Sequence, residues 1–378
     1  MQPTALESDE LVRMASTDRF VWNWALHRCQ TFYQEHKQGI SPSQLSNQLT
    51  ELKAQQPWLY DFDSQSLQQV LRKLQQAYQN HFNPKMRTGF PKFKTKKNPR
   101  QSFRIPQRVV VREAKVYVPK LGWVKLRQSQ PIAGESKSAT FKRTPTGKWY
   151  VTLVSEFEIC EGQQPVTQVV GGDLGLETFL TLSDGTPPLE NPRFLRQYAK
   201  KLRRAQRHLS RKQKGSRNRA KARLRVAKVY ERVANLRSNF CHQLTHSLMR
   251  YPALCLEKLS MLGLAKTKLA KSMLDAAFGE VIRQWKYKSV WHGSYALEAD
   301  RFFPSTQLCS ACGYRNQKLT LSDREWICPG CETQHRRDQN AAQNLEDEGI
   351  RQLVAMGRIE TLNAWGQHVR PAMAGNAG

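Results

Sequence analysis

The stretch "VVGGDLGLETFLTLSDG", Val169–Gly185, decides the reading of this chain. Its apolar start reads as a buried strand. A Gly-rich turn holding Asp173 follows, then a second strand, then a turn at Asp184-Gly185. Upstream, "RVVVREAKVYVPKLGWVKLR" alternates apolar and polar residues, and "SATFKRTPTGKWYVTLVSEFEI" reads as two strands around a Thr-Gly turn, so 103–159 is a small antiparallel β region. Further upstream, Leu11 to about Tyr33 and about Ser66 to Phe82 carry apolar residues at helical spacing, and the polar segment between them, ending in QQPW, is expected as a loop and short helix. Downstream, 200–228 predicts two helices split near Lys214-Gly215-Ser216, and the second runs on into a long amphipathic helix through Leu248. "ALCLEKL" is a short apolar run ending at Glu257. A helix over about Asp275–Gly293 and a strand at "SYALEADRFF" complete the pattern before four cysteines.

The chain has 378 residues, with 60 Lys+Arg against 31 Asp+Glu, a formal net charge of +29. That excess calls for a polyanion as partner, DNA or RNA ahead of an anionic membrane. No stretch is apolar enough for a membrane span and no signal peptide opens the chain, so a cytoplasmic location is expected. The positive charge is concentrated in two places. Residues 84–104, "PKMRTGFPKFKTKKNPRQSFR", hold no acid and set Phe90, Phe93 and Phe103 among the cations, a composition that suits a backbone-tracking groove with stacking platforms. Residues 200–228 hold 14 Lys/Arg and no acid, a run that repels itself in water until a phosphate backbone lies along it. Candidate nucleic-acid contacts are Lys92, Lys94, Lys96, Lys97 and Arg104 in the first, and Arg203, Arg207, Arg211, Lys212, Lys214, Arg217 and Arg219 in the second. For the first run a solvated basic loop is the alternative account.

Cys309-x-x-Cys312 and Cys328-x-x-Cys331 each bring two thiolates to one ion from a tight turn, and the pairs together complete a four-sulfur tetrahedral zinc site. An iron site of the same geometry, or two redox pairs, are the alternatives. Four protein ligands leave no open position, so this zinc is structural and folds a ribbon too small to hold a core alone. Gly313 and Gly330 are expected at positive φ in the knuckles. Cys29, Cys160, Cys241 and Cys255 are single and read as small apolar residues.

Three acids stand at informative places: Asp173 past a first strand, Glu257 ending a later one, and Asp338 at the start of the helix "DQNAAQNLEDEGI". Singly, each has an ordinary explanation as a turn residue, a surface acid or an N-cap. Together their order is that of a ribonuclease H-like nuclease. Two Mg²⁺ ions about 4 Å apart need shared carboxylates, and a hard cation takes oxygen rather than the neighbouring thiolates. His335, Arg336 and Arg337 would offer positive charge to a phosphate, or are surface charge.

The chain resembles the TnpB family of transposon-encoded RNA-guided DNA nucleases, relatives of the compact type V CRISPR effectors. The motifs that carry the resemblance are "RFVWNWAL" (Arg19–Leu26), "GFPKFKTKKNPRQSFRIPQ" (Gly89–Gln107), "GDLGLETFLTLSDG" (Gly172–Gly185), "LSRKQKGSRNRAKAR" (Leu209–Arg223), "EKLSMLGL" (Glu257–Leu264), "RFFPSTQLCSACG" (Arg301–Gly313) and "RDQNAAQNL" (Arg337–Leu345). The resemblance implies an α+β multidomain fold: a helical recognition lobe inserted in a wedge β-barrel, and a RuvC nuclease domain with a zinc-ribbon insertion. It divides the chain into the start of the wedge (1–15), the recognition domain (16–100), the wedge barrel (101–166), the first nuclease part (167–305), the ribbon (306–334), the final nuclease helix (335–352) and a flexible tail (353–378). It implies catalytic roles for Asp173, Glu257 and Asp338 with two Mg²⁺, a transposon-end guide RNA, and a double-stranded DNA target read beside a short motif and then by base pairing. Gln68, Gln69, Arg72, Lys73 and Gln76 are types that could read that motif in a major groove. The resemblance departs at the N-terminus, where the first wedge strand is short or missing, at Gly172, where the family commonly has Ile, and at Lys258-Leu259-Ser260. The rival functions are a guide-bound regulator that does not cut and a general zinc-ribbon RNA-binding protein.

Overall fold

The computed structural model describes residues 1–86, 88–98, 100–128, 131–158, 164–259, 269–320 and 323–359. The chain divides into two compact units, 1–158 and 159–378.

In the first unit, helix α1 (Ala5–His36) starts on a capping box in which Thr4 accepts from the Glu7 amide and Glu7 accepts from the Thr4 amide. Its apolar stripe serves two cores. Leu11, Met14 and Ala15 pack with the strands, while Val21, Trp22, Ala25 and Leu26 pack with α2 (Pro42–Gln55) and α3 (Ser64–Phe82). A boundary at residue 15 therefore falls inside a continuous helix. The loop and short helix expected before QQPW is a full helix, because Ser41 and Gln44 form a second capping box and Pro42 opens the first turn.

Among the described residues six strands follow: β1 (Gln101–Ile105), β2 (Val111–Arg112), β3 (Lys115–Val118), β4 (Gly122–Lys125), β5 (Glu135–Arg143) and β6 (Trp149–Glu156). They pair as two antiparallel sheets, β1-β5-β6 and β2-β3-β4. Alternate residues Val116, Val118, Val124, Phe103, Phe141 and Trp149 face one shared core, where each such side chain contributes about 1.5–3 kcal/mol. Among the described residues the two ladders stay separate rather than closing as a barrel. The Gln2 amide donates to the Lys125 carbonyl (2.8 Å) and the Met1 amine to the Trp149 carbonyl (3.0 Å), so the first two residues reach an edge of each sheet.

The second unit is built on a five-stranded sheet of order β11-β10-β7-β8-β9, from β7 (Val169–Asp173), β8 (Thr178–Leu182), β9 (Leu189–Glu190), β10 (Ala253–Glu257) and β11 (Tyr295–Ala299). The first three strands run as antiparallel neighbours, and β10 pairs in parallel with both β7 and β11. The β7 strand runs through Gly171 and Gly172 and ends on Asp173, which was expected in the turn that follows. Parallel neighbours need a crossover, and the chain between β9 and β10 supplies it as α4 (Phe194–Ser210) and α5 (Arg217–Ser247), broken at Gly215 with φ 88°. The expected 275–293 helix is two, α6 (Ala270–Ala276) and α7 (Phe278–His292), separated by Ala277 at φ 58°.

Neighbouring residues of β7 and β10 face opposite sides. Val170, Leu254 and Leu256 pack with Cys241 and Leu244 of α5 and Trp285 of α7; Val169, Ala253 and Cys255 pack with Leu345 and Leu353 of α8 (Arg337–Ala355). The result is a helix–sheet–helix sandwich. Helix α8 continues past the expected end at 352, and Leu353 and Ile359 are buried; residues 360–378 of the expected tail lie outside the described residues, as does Cys160. A small hairpin, β12 (Glu325–Ile327) with β13 (Gln334–Arg336), leads into α8. No helix among the described residues is long and apolar enough to cross a membrane.

Candidate active site

The strand register brings two of the three acids together. Leu256 of β10 pairs with Gly172 of β7, so Glu257 and Asp173 are the next residues at the same edge of neighbouring parallel strands, about 4.8 Å apart in backbone. The third arrives on α8. That helix lies directly on β7: a Cβ on Gly171 would stand 1.9 Å from the Ala342 carbonyl oxygen and 2.3 Å from the Glu346 nitrogen. Only glycine permits that approach. It sets the first turn of α8, with Asp338, beside the ends of the two strands.

Asp338 is inside the first turn rather than the N-cap, which is Arg336. It accepts from Arg337 Nη2 (3.2 Å) and Nε (3.3 Å), and Arg324 Nη1 lies 3.8 Å away. Arg324 also pairs with Glu177. Burial pushes the Asp173 carboxyl up to about 7, the charges of Asp338 and Glu257 add to this, and Arg337 partly offsets it. Burial also raises Glu257. A half-buried trio of acids in which Asp338 and Glu257 repel charge on Asp173 fits a hard divalent cation, which removes the repulsion and accepts oxygen donors. Asp173 and Asp338 line a groove of about 1110 Å³ whose walls carry Arg193, Arg196, Lys271, Arg324 and Arg337. The sequence reading missed Asp275 on the same groove. It is buried and holds the Leu195 amide at the start of α4 (2.9 and 3.0 Å) and Arg237 of α5 (2.7 Å). Its one sequence signal was an acid at the expected start of the 275–293 helix.

Cys309, Cys312, Cys328 and Cys331 converge with their sulfurs within 4.8 Å of one another. The Cys309–Cys331 and Cys312–Cys328 separations are both 3.6 Å, close to the edge of about 3.8 Å that a zinc–sulfur tetrahedron requires. The donors and spacing fit zinc. Gly313 takes φ 75° as expected, whereas Gly330 does not adopt positive φ; there a Cβ would crowd Tyr314 at 3.3 Å. His335, expected to offer charge to a phosphate, is buried instead, with Nε2 3.0 Å from Cys309 Sγ and its ring against Trp326. Arg336 is exposed near Glu325, and Arg337 lies against Asp338.

The candidate nucleic-acid contacts divide. Lys92, Lys96 and Lys97 point to solvent, as do Arg203, Arg207, Arg211, Lys214 and Arg217; Lys212 is half-buried. Lys94 is folded onto Trp22, its Nζ 3.8 Å from the ring centroid and its backbone bonded twice to Asn23; burial and Lys73 lower it to about 8. Arg104 donates to Ser138 (3.1 Å), and Arg219 donates to the carbonyls of Leu209 (3.2 Å) and Lys212 (2.7 Å) at the end of α4. Arg104 and Arg219, both half-buried, are tied into the fold, whereas Lys94 stays exposed while its amine lies over Trp22. Of the expected motif readers, Gln68 bonds Ser46 of α2 (2.9 Å), and burial lowers Lys73, an effect that the charge of Asp18, itself raised by burial to about 7, partly offsets. Arg72 and Gln76 are exposed, Gln69 is half-buried, and Gln76 also donates to Asn80 (2.9 Å). A further candidate surface went unread: Tyr117 opposes Trp123 and Lys115 opposes Lys125 on the outer face of β3–β4. Two aromatics at outward positions of an alternating strand were the available signal.

A mixed sheet with three antiparallel strands, two parallel strands beyond the first, and acids at the ends of the first and fourth defines a RuvC-like nuclease architecture. Comparison with known proteins agrees. Residues 151–268 match the OrfB_IS605 family, described as "Probable transposase", residues 278–345 match "Cas12f1-like, TNB domain", and residues 1–38, here one helix, match a "Helix-turn-helix domain" of the same transposase group. A Streptomyces pristinaespiralis protein named "Putative RNA-guided DNA endonuclease" is 36% identical over 357 residues, 92% of this chain and 87% of that protein. InsQ of Escherichia coli (strain K12), with the same description, is 32% identical over 366 residues, 91% of this chain and 90% of its own. The chain belongs to the TnpB family. In fold it is similar to Cas12f1 in a cryo-EM complex with sgRNA and target DNA, at TM-score 0.55 and 14% identity over 91% of this chain and 83% of that one.

Proposed function

We propose that this chain is an RNA-guided DNA endonuclease. It binds a guide RNA derived from a transposon end, recognises a short motif beside the target as duplex, and cleaves guide-matched DNA by two-metal hydrolysis. The observation that carries the reading is the meeting of Asp173, Glu257 and Asp338 at one sheet edge, with Asp173 and Asp338 on a groove walled by arginine and lysine. The three carboxylates would hold Mg²⁺, with zinc held by the four cysteines. Bound there, Mg²⁺ supplies an activated water and stabilises the leaving oxygen.

The protein's own part is positional. β7 and β10 hold Asp173 and Glu257 side by side, and α8 delivers Asp338. Arg324 and Arg337 keep Asp338 charge-balanced before a cation enters. Arg193, Arg196 and Lys271 line the path of a phosphate backbone. The cations of α4 and α5 supply a nucleic-acid surface within the second unit, and Lys92, Lys96 and Lys97 with the Tyr117–Trp123 face supply one within the first, sequence choice being left to base pairing. The helical part of the first unit acts as recognition lobe and its two sheets as wedge.

Sequencing the RNA that co-purifies with the chain tests this. One dominant structured species with a variable 3′ end, followed by Mg²⁺-dependent cutting of a library randomised beside the matched target, is the expected outcome. A random RNA pool contradicts it.

A further inference from the structure

Two buried asparagines remain without a role in the site. Asn340 and Asn344 stand one turn apart on α8, 1% and 5% exposed. Asparagine is a poor helix former, and burying its amide costs about 1–3 kcal/mol unless it is bonded. Both side chains are bonded, and to one target. Asn340 Nδ2 donates to the Leu308 carbonyl (2.6 Å), and its Oδ1 accepts from the Ser310 amide (2.9 Å). Asn344 Nδ2 donates to the same Leu308 carbonyl (2.8 Å) and to that of Ser305 (2.7 Å). The peptide groups on either side of Cys309 are thus held by α8. The thiol of Cys309 is held from the other direction, 3.0 Å from Nε2 of His335. With the sulfur as thiolate, the imidazole N–H is the donor.

His335 precedes Asp338 by three residues and Asn340 follows it by two. The first cysteine knuckle is therefore fastened to the chain on both sides of the carboxylate that α8 brings to the groove. Packing alone would not need this: Ala341, Ala342 and Leu345 already seat the helix on the sheet. Amide bonds add direction. They fix the rotation and depth of the first turns of α8 relative to Cys309.

We propose that Asn340 and Asn344 are positioning residues that let the four-cysteine site set the placement of Asp338. Zinc, by fixing the Cys309 knuckle, then governs the affinity of a chemically distinct divalent-cation site formed with Asp173 and Glu257. The proposal deepens the nuclease reading and rests on Asp338 being a cation ligand. Outer partners of metal ligands change affinity or activity by about 10–100-fold when removed.

The test compares the wild-type complex with co-purified RNA against Asn340→Ala and Asn344→Ala. Zinc content is measured per chain, and Mn²⁺ binding is followed by electron paramagnetic resonance, with Asp338→Asn subtracting ions held elsewhere. Both variants keep one zinc and bind matched target DNA. Their Asp338-dependent Mn²⁺ affinity falls about 10–100-fold, and Mg²⁺ for half-maximal cleavage rises in step, with the rate recovering at saturating metal. Asn344→Ala leaves both Asn340 bonds in place and keeps the test open should Asn340→Ala not fold. Unchanged Mn²⁺ affinity in a zinc-loaded variant overturns the coupling alone. A wild type with no Asp338-dependent Mn²⁺ site overturns the coupling and the reading of the carboxylates together. A wild type that binds Mn²⁺ there yet leaves guide-matched DNA intact removes the nuclease reading, while the affinity shift still decides the coupling.

Discussion

The four thiolates and the three carboxylates sit on adjoining parts of one unit but are assembled in opposite ways. Cys309, Cys312, Cys328 and Cys331 come from two tight turns of one short segment, and their sulfurs meet because each CxxC presents two of them at once. Asp173, Glu257 and Asp338 come from two strands and a helix spread along the chain. Each is placed by the packing of the whole sandwich. A local site depends on its ion for its fold; a distributed site depends on the fold for its geometry. Substitutions should therefore act differently at the two.

The largest contrast is expected from Cys328→Ser. It should abolish zinc binding and expose the 306–334 segment to protease while the sheet stays folded, and cleavage should be lost with the metal. Limited proteolysis with metal analysis checks this; a zinc-free variant that still cuts would break the link between the sites. Next comes Gly171→Ala, far from any cysteine. Its methyl meets the α8 backbone, and overpacking of this kind costs about 1–3 kcal/mol or more. Cleavage and thermal stability should both fall with zinc content unchanged; a variant as stable as wild type would deny the close helix–strand contact. The smallest effect is a pH dependence. Asp173 is raised from 3.8 to about 7, so between those values the folded chain holds a proton that the unfolded chain has lost. Its contribution to stability is thus fully present below about 4 and is lost as pH rises through about 7. Melting of metal-free protein should show that decline, Asp173→Asn should flatten it, and Mg²⁺ should offset it most above neutrality. An equal slope in Asp173→Asn would rule out the assignment.

The same contrast explains what could be read beforehand. The cysteine site was legible because spacing alone encodes it. The sheet was legible in its strands, since alternation and apolar runs survive at β7, β8, β10 and β11, and the break at Gly215 marked the α4–α5 turn. The acids gained meaning from order and resemblance, because nothing local to Glu257 says that β10 lies beside β7. Individual cations were the least legible. Lys94 and Arg219 look like their neighbours in composition, yet one covers Trp22 and the other caps helix carbonyls. Composition reports the amount of charge, and only packing says which side chain is free to meet a phosphate. His335 misled for the same reason: its place beside two arginines suggested solvent, and burial against Trp326 turned it to Cys309.

The central claim is that carboxylates from separate elements form one cleaving site in an RNA-guided complex. Glu257→Ala, assembled with its co-purified RNA, measures it most directly by separating target binding from target cutting. The variant is expected to bind matched double-stranded DNA as tightly as wild type, to carry the same zinc, and not to cut at any Mg²⁺ concentration. Persistent cleavage by Glu257→Ala, or an equal loss of binding and cutting with zinc and fold intact, would contradict it.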